Sequence, residues 1–346
     1  MRAMATTVYG EPLIEIDAPE PVLAPGYALL EVLTAGVCYS DVKTWRGRMA
    51  FSDTLTLPHI AGHEIYGRVM RTDPPGLIPE GTTAIVYQYQ GCGACPPCRR
   101  GDETLCRDMV EWIGFTHPGG FCERIAVPVD RLIRIPASID PVHAAPMSCA
   151  MGTAYRAVVT RGGVRAGTTV GVVGLGGVGI HAAQIASAAG GRVVGFDVHE
   201  DTLTAARELG LEVHRSDDEA ALAGVADITG GEGLDVVIDV VGHEATFALC
   251  DRLARQGGRI VSIGYSPTAN ASMPTARLAL GEMELLGSRY AHRDELDRVV
   301  ALVEGGLVRP IVGLVLPLAE VNQVFAALES GDVVGRAVLD VAGVTG

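Results

Sequence analysis

The chain carries Gly174-Leu175-Gly176-Gly177-Val178-Gly179 between an apolar run and a helical one, and Asp197 closes the apolar run that follows. That order of strand, glycine turn, helix and strand confines the stretch to two parallel strands bridged by a helix. The first glycine makes the tight turn, the second lets backbone approach a pyrophosphate, and the third lets the helix pack closely. The helix N-terminus then faces the phosphate charge, and Leu175 and Val178 are counted with the glycines as cofactor-binding residues. Asp197 is placed to accept hydrogen bonds from both hydroxyls of an adenosine ribose and to repel the extra phosphate of NADP. NAD is the dinucleotide expected. The competing reading is a plain strand–helix turn in an unrelated α/β protein.

The grammar around this turn repeats. Strands are expected near 169–174, 192–197, 235–240 and 259–264, with helices near 178–189, 201–210 and 244–254. Such alternation implies a parallel, doubly wound sheet. Before Pro146 the pattern differs: short apolar runs at 28–33, 84–89, 121–127 and 132–135 are separated by Pro and Gly, as in a small barrel or folded sheet. The alternation stops near 285–290. Helices near 293–305 and 318–330 and a last strand near 335–341 are then expected to pack back on the N-terminal part. With 346 residues, more than one core is expected. The domains read as 1–150, with a lobe at about 91–107, then 151–288, then a returning segment 289–346.

Charge excludes one class of partner. Against 27 Lys and Arg stand 41 Asp and Glu, a net charge of −14 that repels a phosphate backbone, so nucleic acid is not an expected partner. The apolar stretch 168–191 holds His181 and Gln184 and fits a buried strand–turn–helix better than a membrane span. No secretory signal is read in Met1-Arg2-Ala3-Met4. A cytoplasmic chain with reduced thiols is expected, and the cysteines are spaced as ligands rather than as disulfide partners.

Cys92, Cys95 and Cys98 step with two residues between them, and Cys106 follows seven residues later. Four thiolates at this spacing can close tetrahedrally around Zn²⁺ and leave no position for substrate, which makes a structural site. A redox-sensing thiol cluster or a partly vacant site is the alternative. A looser set comprises Cys38, His63 with Glu64, and Cys149. Each alone reads as a buried small hydrophobe or a satisfied polar group, and periodicity does not prove that they converge. If they do, two thiolates and an imidazole leave a zinc position open, and beside a nicotinamide cofactor that points to alcohol–carbonyl interconversion by hydride transfer.

Taken together, Gly36-Val37-Cys38-Tyr39-Ser40-Asp41, Gly62-His63-Glu64, the Cys92–Cys106 lobe, and Gly174–Gly179 followed by Asp197 resemble the zinc-dependent alcohol dehydrogenases of the medium-chain dehydrogenase/reductase family, over essentially the whole chain. The resemblance implies an α/β protein with an N-terminal GroES-like β-barrel catalytic domain and a Rossmann doubly wound domain. It implies two zinc ions per chain: one held by Cys38, His63 and Cys149 with Glu64 as an exchange ligand, the other by the lobe. Asp41 would orient His63, and Ser40 would pass the substrate proton to the nicotinamide ribose. Ile263 and Arg336 would join the glycine turn in holding NAD.

Several positions depart from the family pattern. Lys43 stands where many members carry a proton-relaying His, so either it has a depressed pKa, water replaces the relay, or it is a solvated surface lysine. Tyr39 and Thr202 replace basic residues that reach the cofactor. Trp45, Trp112 and Gln88 flank the ligand segments and are candidates for the substrate pocket, with the hydrophobic core as the alternative for the aromatic pair. The implied substrate is a small alcohol with its aldehyde or ketone; a polyol, amino-alcohol or specialised-metabolite dehydrogenase is the alternative of the same chemistry. From another class, a non-catalytic zinc or redox-sensing protein on the same fold remains open. The length resembles homotetrameric members, with a dimer as second choice.

Overall fold

A computed structural model describes residues 1–344. The early strands are β1 (Arg2–Ala5), β2 (Ile14–Asp17), β3 (Tyr27–Val37), β4 (Glu64–Thr72), β5 (Thr83–Val86), β6 (Tyr89–Gln90), β7 (Glu111–Trp112), β8 (Arg124–Pro128) and β9 (Leu132–Arg134). β10 (Thr169–Val173), β11 (Arg192–Asp197), β12 (Glu212–Arg215), β13 (Leu234–Asp239), β14 (Ala254–Ser262) and β15 (Glu284–Gly287) follow. β16 (Val312–Pro317) and β17 (Arg336–Asp340) end the series. Among the described residues no helix is long and apolar enough to cross a membrane.

The chain divides into two units. The first holds Met1–Ala150, His292–Glu304 and the chain from Val312 onward; the second holds Met151–Ala291 and Gly305–Ile311.

In the first unit the ladders run β16-β17-β3-β4-β5-β9, with β8 also on β3. β3 is long because its eleven residues, Tyr-Ala-Leu-Leu-Glu-Val-Leu-Thr-Ala-Gly-Val, pack on both faces and pair with three neighbours. Leu30, Val32, Ile65, Phe121, Phe325 and Leu339 build its core, so strands from both ends of the chain share one interior. The late helices Arg293–Glu304 and Val321–Ser330 form as the apolar spacing implies, but between them lies β16, a strand whose alternating exposure sequence reading missed. Its apolar face is narrow, and Pro310 and Pro317 bracket it like a loop.

The second unit is a six-stranded sheet in the order β12-β11-β10-β13-β14-β15, parallel throughout. Valine-rich β10 and β13 sit at its centre with both faces covered, and Phe196, Phe247 and Ile260 share a core with Val173 and Val237. The order reverses between β10 and β13, and at such a switch point the carboxyl ends of the strands leave a crevice. The glycine turn follows β10, Asp197 ends β11, and Ile263 follows β14, all at that edge. The fold is therefore α/β, with a mainly antiparallel sheet in the first unit and a doubly wound, Rossmann-like parallel sheet in the second.

Candidate metal centre and dinucleotide turn

Strand register assembles the buried centre. Gly36 on β3 lies opposite Glu64 at the start of β4, and Val37 lies opposite Ala337 on β17. Cys38, Glu64 and Arg336 therefore end three adjacent strands on one side. Gly36 has to be glycine, because a Cβ there would overlap the Glu64 carboxylate. Cys149 enters after the tight turn Ala145–Ser148. The result brings one ligand atom each from Cys38, His63, Glu64 and Cys149 within 4.8 Å of one another, all buried.

His63 supplies the strongest indication of a bound cation. Its Nδ1 is 2.9 Å from Asp41 Oδ1, while Asp41 Oδ2 accepts the Cys38 amide at 2.8 Å. With Nδ1 so engaged, Nε2 is buried and meets no hydrogen-bond partner among the described residues. A buried imidazole nitrogen that faces two thiols and a carboxylate without a hydrogen-bond partner is costly unless a cation, a proton or a metal ion, is held there. The donor set of two sulfurs, one imidazole and an exchangeable oxygen fits zinc with an open position.

The charges agree. Burial opposes a proton on His63, yet Asp41 and Cys38 raise its pKa to about 10. The Cys38 thiol is drawn well below its ordinary range, first by the hydrogen bond from Cys149, then, against burial, by Arg336 and His63. Cys149 is pushed well above its own range by that same bond with Cys38, by burial and by the Cys38 and Glu64 charges. The cluster thus holds protons where positive charge is wanted, and a divalent ion supplies that charge while leaving both sulfurs as thiolates. Burial raises the Glu64 carboxyl and Arg336 opposes it. Arg336 Nε donates to Glu64 Oε2 at 3.1 Å and Nη2 pairs with Oε1. Arg336, expected on the cofactor pyrophosphate, instead has its guanidinium committed to this carboxylate, because β17 delivers it beside the first residue of β4. Sequence reading missed the pair, since 272 residues separate its members.

Neighbouring candidates divide. Ser40 lies half-buried in the first turn of helix Tyr39–Trp45. Lys43, on the same helix, is half-buried with its ammonium 5.9 Å from the Tyr39 ring centre. Burial lowers its pKa, with the Cys38 charge opposing. Trp45, a pocket candidate, belongs to the core: its ring lies 5.3 Å from Phe325 and its indole donates to the Glu11 carbonyl at 2.5 Å. Trp112 lies 4.3 Å from Phe115, whose ring in turn lies 4.5 Å from the His63 imidazole. Gln88 is buried, and its Oε1 has no hydrogen-bond partner among the described residues. Phe115 was missed, and nothing in its sequence context marks it.

The lobe is compact. Cys92, Cys95, Cys98 and Cys106 place their sulfurs within 4.8 Å of one another, each half-buried. The Cys92 amide donates to Cys106 Sγ at 3.2 Å and the Cys95 amide to Cys92 Sγ at 3.3 Å, a pattern that stabilises thiolates. Cys95 is lowered to about 6 by backbone hydrogen bonding, whereas burial raises Cys98 to about 12. Glu103 accepts the Gly91 amide at 3.2 Å and Arg131 Nη1 at 2.9 Å, which braces the lobe from outside.

In the second unit, Gly174 has φ of +88°, and a Cβ on Gly179 would overlap the Gly174 carbonyl oxygen. Both positions require glycine. A Cβ on Gly176 would meet nothing within 4 Å, so the middle of the turn is open to an approaching group. Asp197 Oδ2 accepts the Leu175 amide at 2.7 Å and Oδ1 accepts the His199 amide at 2.9 Å, which fixes the carboxylate beside the turn. Thr202 is buried and Tyr39 is exposed.

Comparison with known proteins gives the family. Residues 24–137 match the alcohol dehydrogenase GroES-like domain and residues 177–305 the zinc-binding dehydrogenase domain. The NAD-dependent alcohol dehydrogenase of Sulfurisphaera tokodaii is 32% identical, covering 98% of this chain and 99% of that protein. Among solved structures, the alcohol dehydrogenase of Aeropyrum pernix superposes with a TM-score of 0.89 at 30% identity, over 99% of this chain and 100% of the other. The D-arabinose dehydrogenase of Sulfolobus solfataricus does so with a TM-score of 0.83 at 28% identity, over 98% and 99%. A buried cysteine–histidine centre, a four-cysteine lobe and a glycine turn thus meet a full-length likeness, and the chain belongs to the zinc-type alcohol dehydrogenases of the medium-chain dehydrogenase/reductase family.

Proposed function

We propose that this chain is an NAD-dependent, zinc-dependent oxidoreductase that transfers a hydride between NAD(H) and an alcohol/carbonyl pair. The observation that carries it is the buried His63 Nε2, without a hydrogen-bond partner among the described residues and facing Cys38, Cys149 and Glu64, in a chain of this family. When bound, zinc supplies a Lewis acid that eases loss of an alcohol proton or polarises a carbonyl, and NAD(H) accepts or supplies the hydride. Cys38, His63 and Cys149 are read as the ligands of that ion, with Asp41 holding the imidazole in one tautomer and Glu64 as an exchange ligand steadied by Arg336.

The proton needs its own route. Ser40 Oγ is read as its first carrier, and Lys43 as the next group on the same helix. Burial moves Lys43 toward the range in which a lysine can accept a proton, a trend that supports this reading. NAD is read on Gly174, Leu175, Gly176, Gly177, Val178 and Gly179, with Asp197 on its ribose and Ile263 alongside. The four lobe thiolates are read as a second, structural zinc site. Trp112 and Gln88 are read as pocket residues, and the first unit's sheet as closing into a barrel. Domain limits of 1–150, 151–288 and 289–346 remain the functional division proposed.

A homo-oligomer, with a tetramer favoured, is supported by the open edge at β15 and by exposed Leu280 and Leu285 around it. The free state of all eight cysteines supports a reducing, cytoplasmic setting. One observation favours a hydroxyl-rich substrate as a second reading: the unmet Gln88 Oε1 accepts a hydroxyl that a plain alkyl alcohol lacks. Metal analysis with a panel of alkyl alcohols, polyols and their carbonyl partners, run with NAD and NADP in parallel, tests the whole proposal. Two zinc ions per chain and NADH formation are expected. A zinc-loaded, NAD-binding protein that turns over no panel member sinks it.

A further inference from the structure

The helix Gly179–Ala188 that leaves the glycine turn does more than present its N-terminus. Its His181 is fully buried, and both ring nitrogens are engaged. Nε2 accepts the Ile311 amide at 2.9 Å, and a backbone N–H can only donate, so the ring proton sits on Nδ1. Nδ1 is 2.8 Å from the Gly177 carbonyl oxygen and therefore donates to it. One turn further along, Gln184 grips the same strip of chain: its Oε1 accepts the Arg309 amide at 2.9 Å and its Nε2 donates to the Arg309 carbonyl at 3.0 Å. The segment 305–311, which is part of this unit although it arrives late in the chain, is held by helix side chains as a neighbouring strand would hold it.

The Gly177 carbonyl matters because of what lies across its peptide plane. In a trans peptide the C=O and the following N–H point in opposite directions, so fixing the Gly177 oxygen fixes the aim of the Val178 amide. That amide belongs to the unpaired donors at the helix N-terminus, where an anion is met. We propose that His181 is a positioning residue for the dinucleotide: fixed in the Nδ1–H form by Ile311, it locks the Gly177–Val178 peptide so that the Val178 amide is already aimed at the pyrophosphate. This rests on the reading of Gly174–Gly179 as the NAD site. A preset donor costs no reorganisation on binding, so the gain appears in cofactor affinity and not in the hydride step.

The test uses the zinc-loaded, full-length protein. His181→Leu removes both bonds and is expected to raise the NAD dissociation constant and NAD KM about fivefold, with kcat at saturating NAD within about twofold. Zinc content and the alcohol KM stay unchanged. His181→Asn, whose carboxamide still donates across one turn to the Gly177 oxygen, keeps NAD affinity within about twofold of the parent. Gln184→Ala loses the Arg309 pair and a long bond to the Ile180 carbonyl at 3.4 Å but keeps both His181 bonds, so its melting temperature falls while its NAD affinity holds. A folded His181→Leu protein with parental NAD affinity overturns the proposal, as does equal weakening in Leu and Asn variants. Should His181→Leu not fold, the parent protein decides: by linkage, NAD must slow hydrogen exchange at the Ile311 amide, and unchanged exchange overturns the clamp. A Gly174→Val chain that still binds NAD would instead sink the reading of the turn itself.

Discussion

The two units encode their sites in opposite ways. In the parallel sheet, the glycine turn and Asp197 lie within one strand–helix–strand step, and their contact is the short bond from the Leu175 amide to Asp197. In the other unit, Cys38, His63, Cys149 and Arg336 reach one buried spot from four distant stretches, because β17 from the far end of the chain pairs with β3. The lobe of the same unit reverts to the local style, with four sulfurs drawn from Cys92–Cys106. Locality goes with exposure as well: the lobe sulfurs are half-buried, whereas the distant set lies deeper. A short-range site can serve as scaffold, but an open, water-poor metal position needs walls from many strands.

The largest effect should come from exchanging the two kinds of cysteine. Cys38→Ser is expected to lower kcat/KM by about a thousandfold or more, followed by NADH absorbance, because the proposed open zinc position would lose a thiolate. Cys95→Ser should do the reverse: kcat per zinc-loaded, folded chain stays within a few fold, while urea unfolding shows a loss of about 3 kcal/mol or more. Interchanged outcomes would mean that the closed and open assignments are swapped.

Next comes the buried ion pair. Arg336→Leu strands the Glu64 carboxylate at a site with no exposure, and a loss of about 3–5 kcal/mol is expected in urea titrations. Adding Glu64→Gln should recover most of it, because the penalty belongs to the unpaired charge. If the double variant is no more stable than the single one, Arg336 acts by packing alone.

Sequence reading followed the same divide. The parallel sheet was legible because apolar strands alternate with helices: β11 was placed at its observed limits, and the helices at 178–189 and 201–210 within about two residues. The lobe was legible from ligand spacing. β4 was not expected, although it opens at Glu64, because its run Glu-Ile-Tyr-Gly-Arg-Val-Met-Arg-Thr has charged and glycine positions among the apolar ones. β2 was too short to declare itself, and β16 was hidden between prolines. The partner of Glu64 could have been anticipated only from the rule that a buried carboxylate needs a cation, and that rule does not say which arginine. Phe115 and the His181 clamp are products of packing, with no pattern to read.

A smaller effect tests how the imidazole is held. Asp41→Asn keeps the size of the residue but weakens its grip on His63 Nδ1 and on the Cys38 amide. Zinc affinity at the buried centre is expected to fall about 10- to 100-fold in competition with a chelator, while the lobe keeps its ion. Equal loss from both sites would show that the two are not independent.

The smallest effect belongs to the local unit and is the counterpart of the buried pair. Asp235 Oδ2 accepts the Thr169 amide at 2.7 Å and the Thr169 hydroxyl at 2.8 Å, and Oδ1 meets Arg255 Nε at 2.7 Å. Burial alone would raise its pKa, but these donors outweigh it and the pKa is lowered from 3.8. A depressed acid contributes stability that is full above its ordinary pKa and is lost as pH falls through the folded value. Asp235→Asn should therefore cost about 1 kcal/mol near neutrality, discounted because the side chain is 31% exposed, and the gap should close in acid. Unfolding of both proteins in urea at neutral pH and at successively lower pH measures the convergence. A gap that persists below pH about 2 would assign the effect to geometry and not to charge, and a loss as large as that of Arg336→Leu would erase the distinction between an ion pair shared with solvent and one sealed from it.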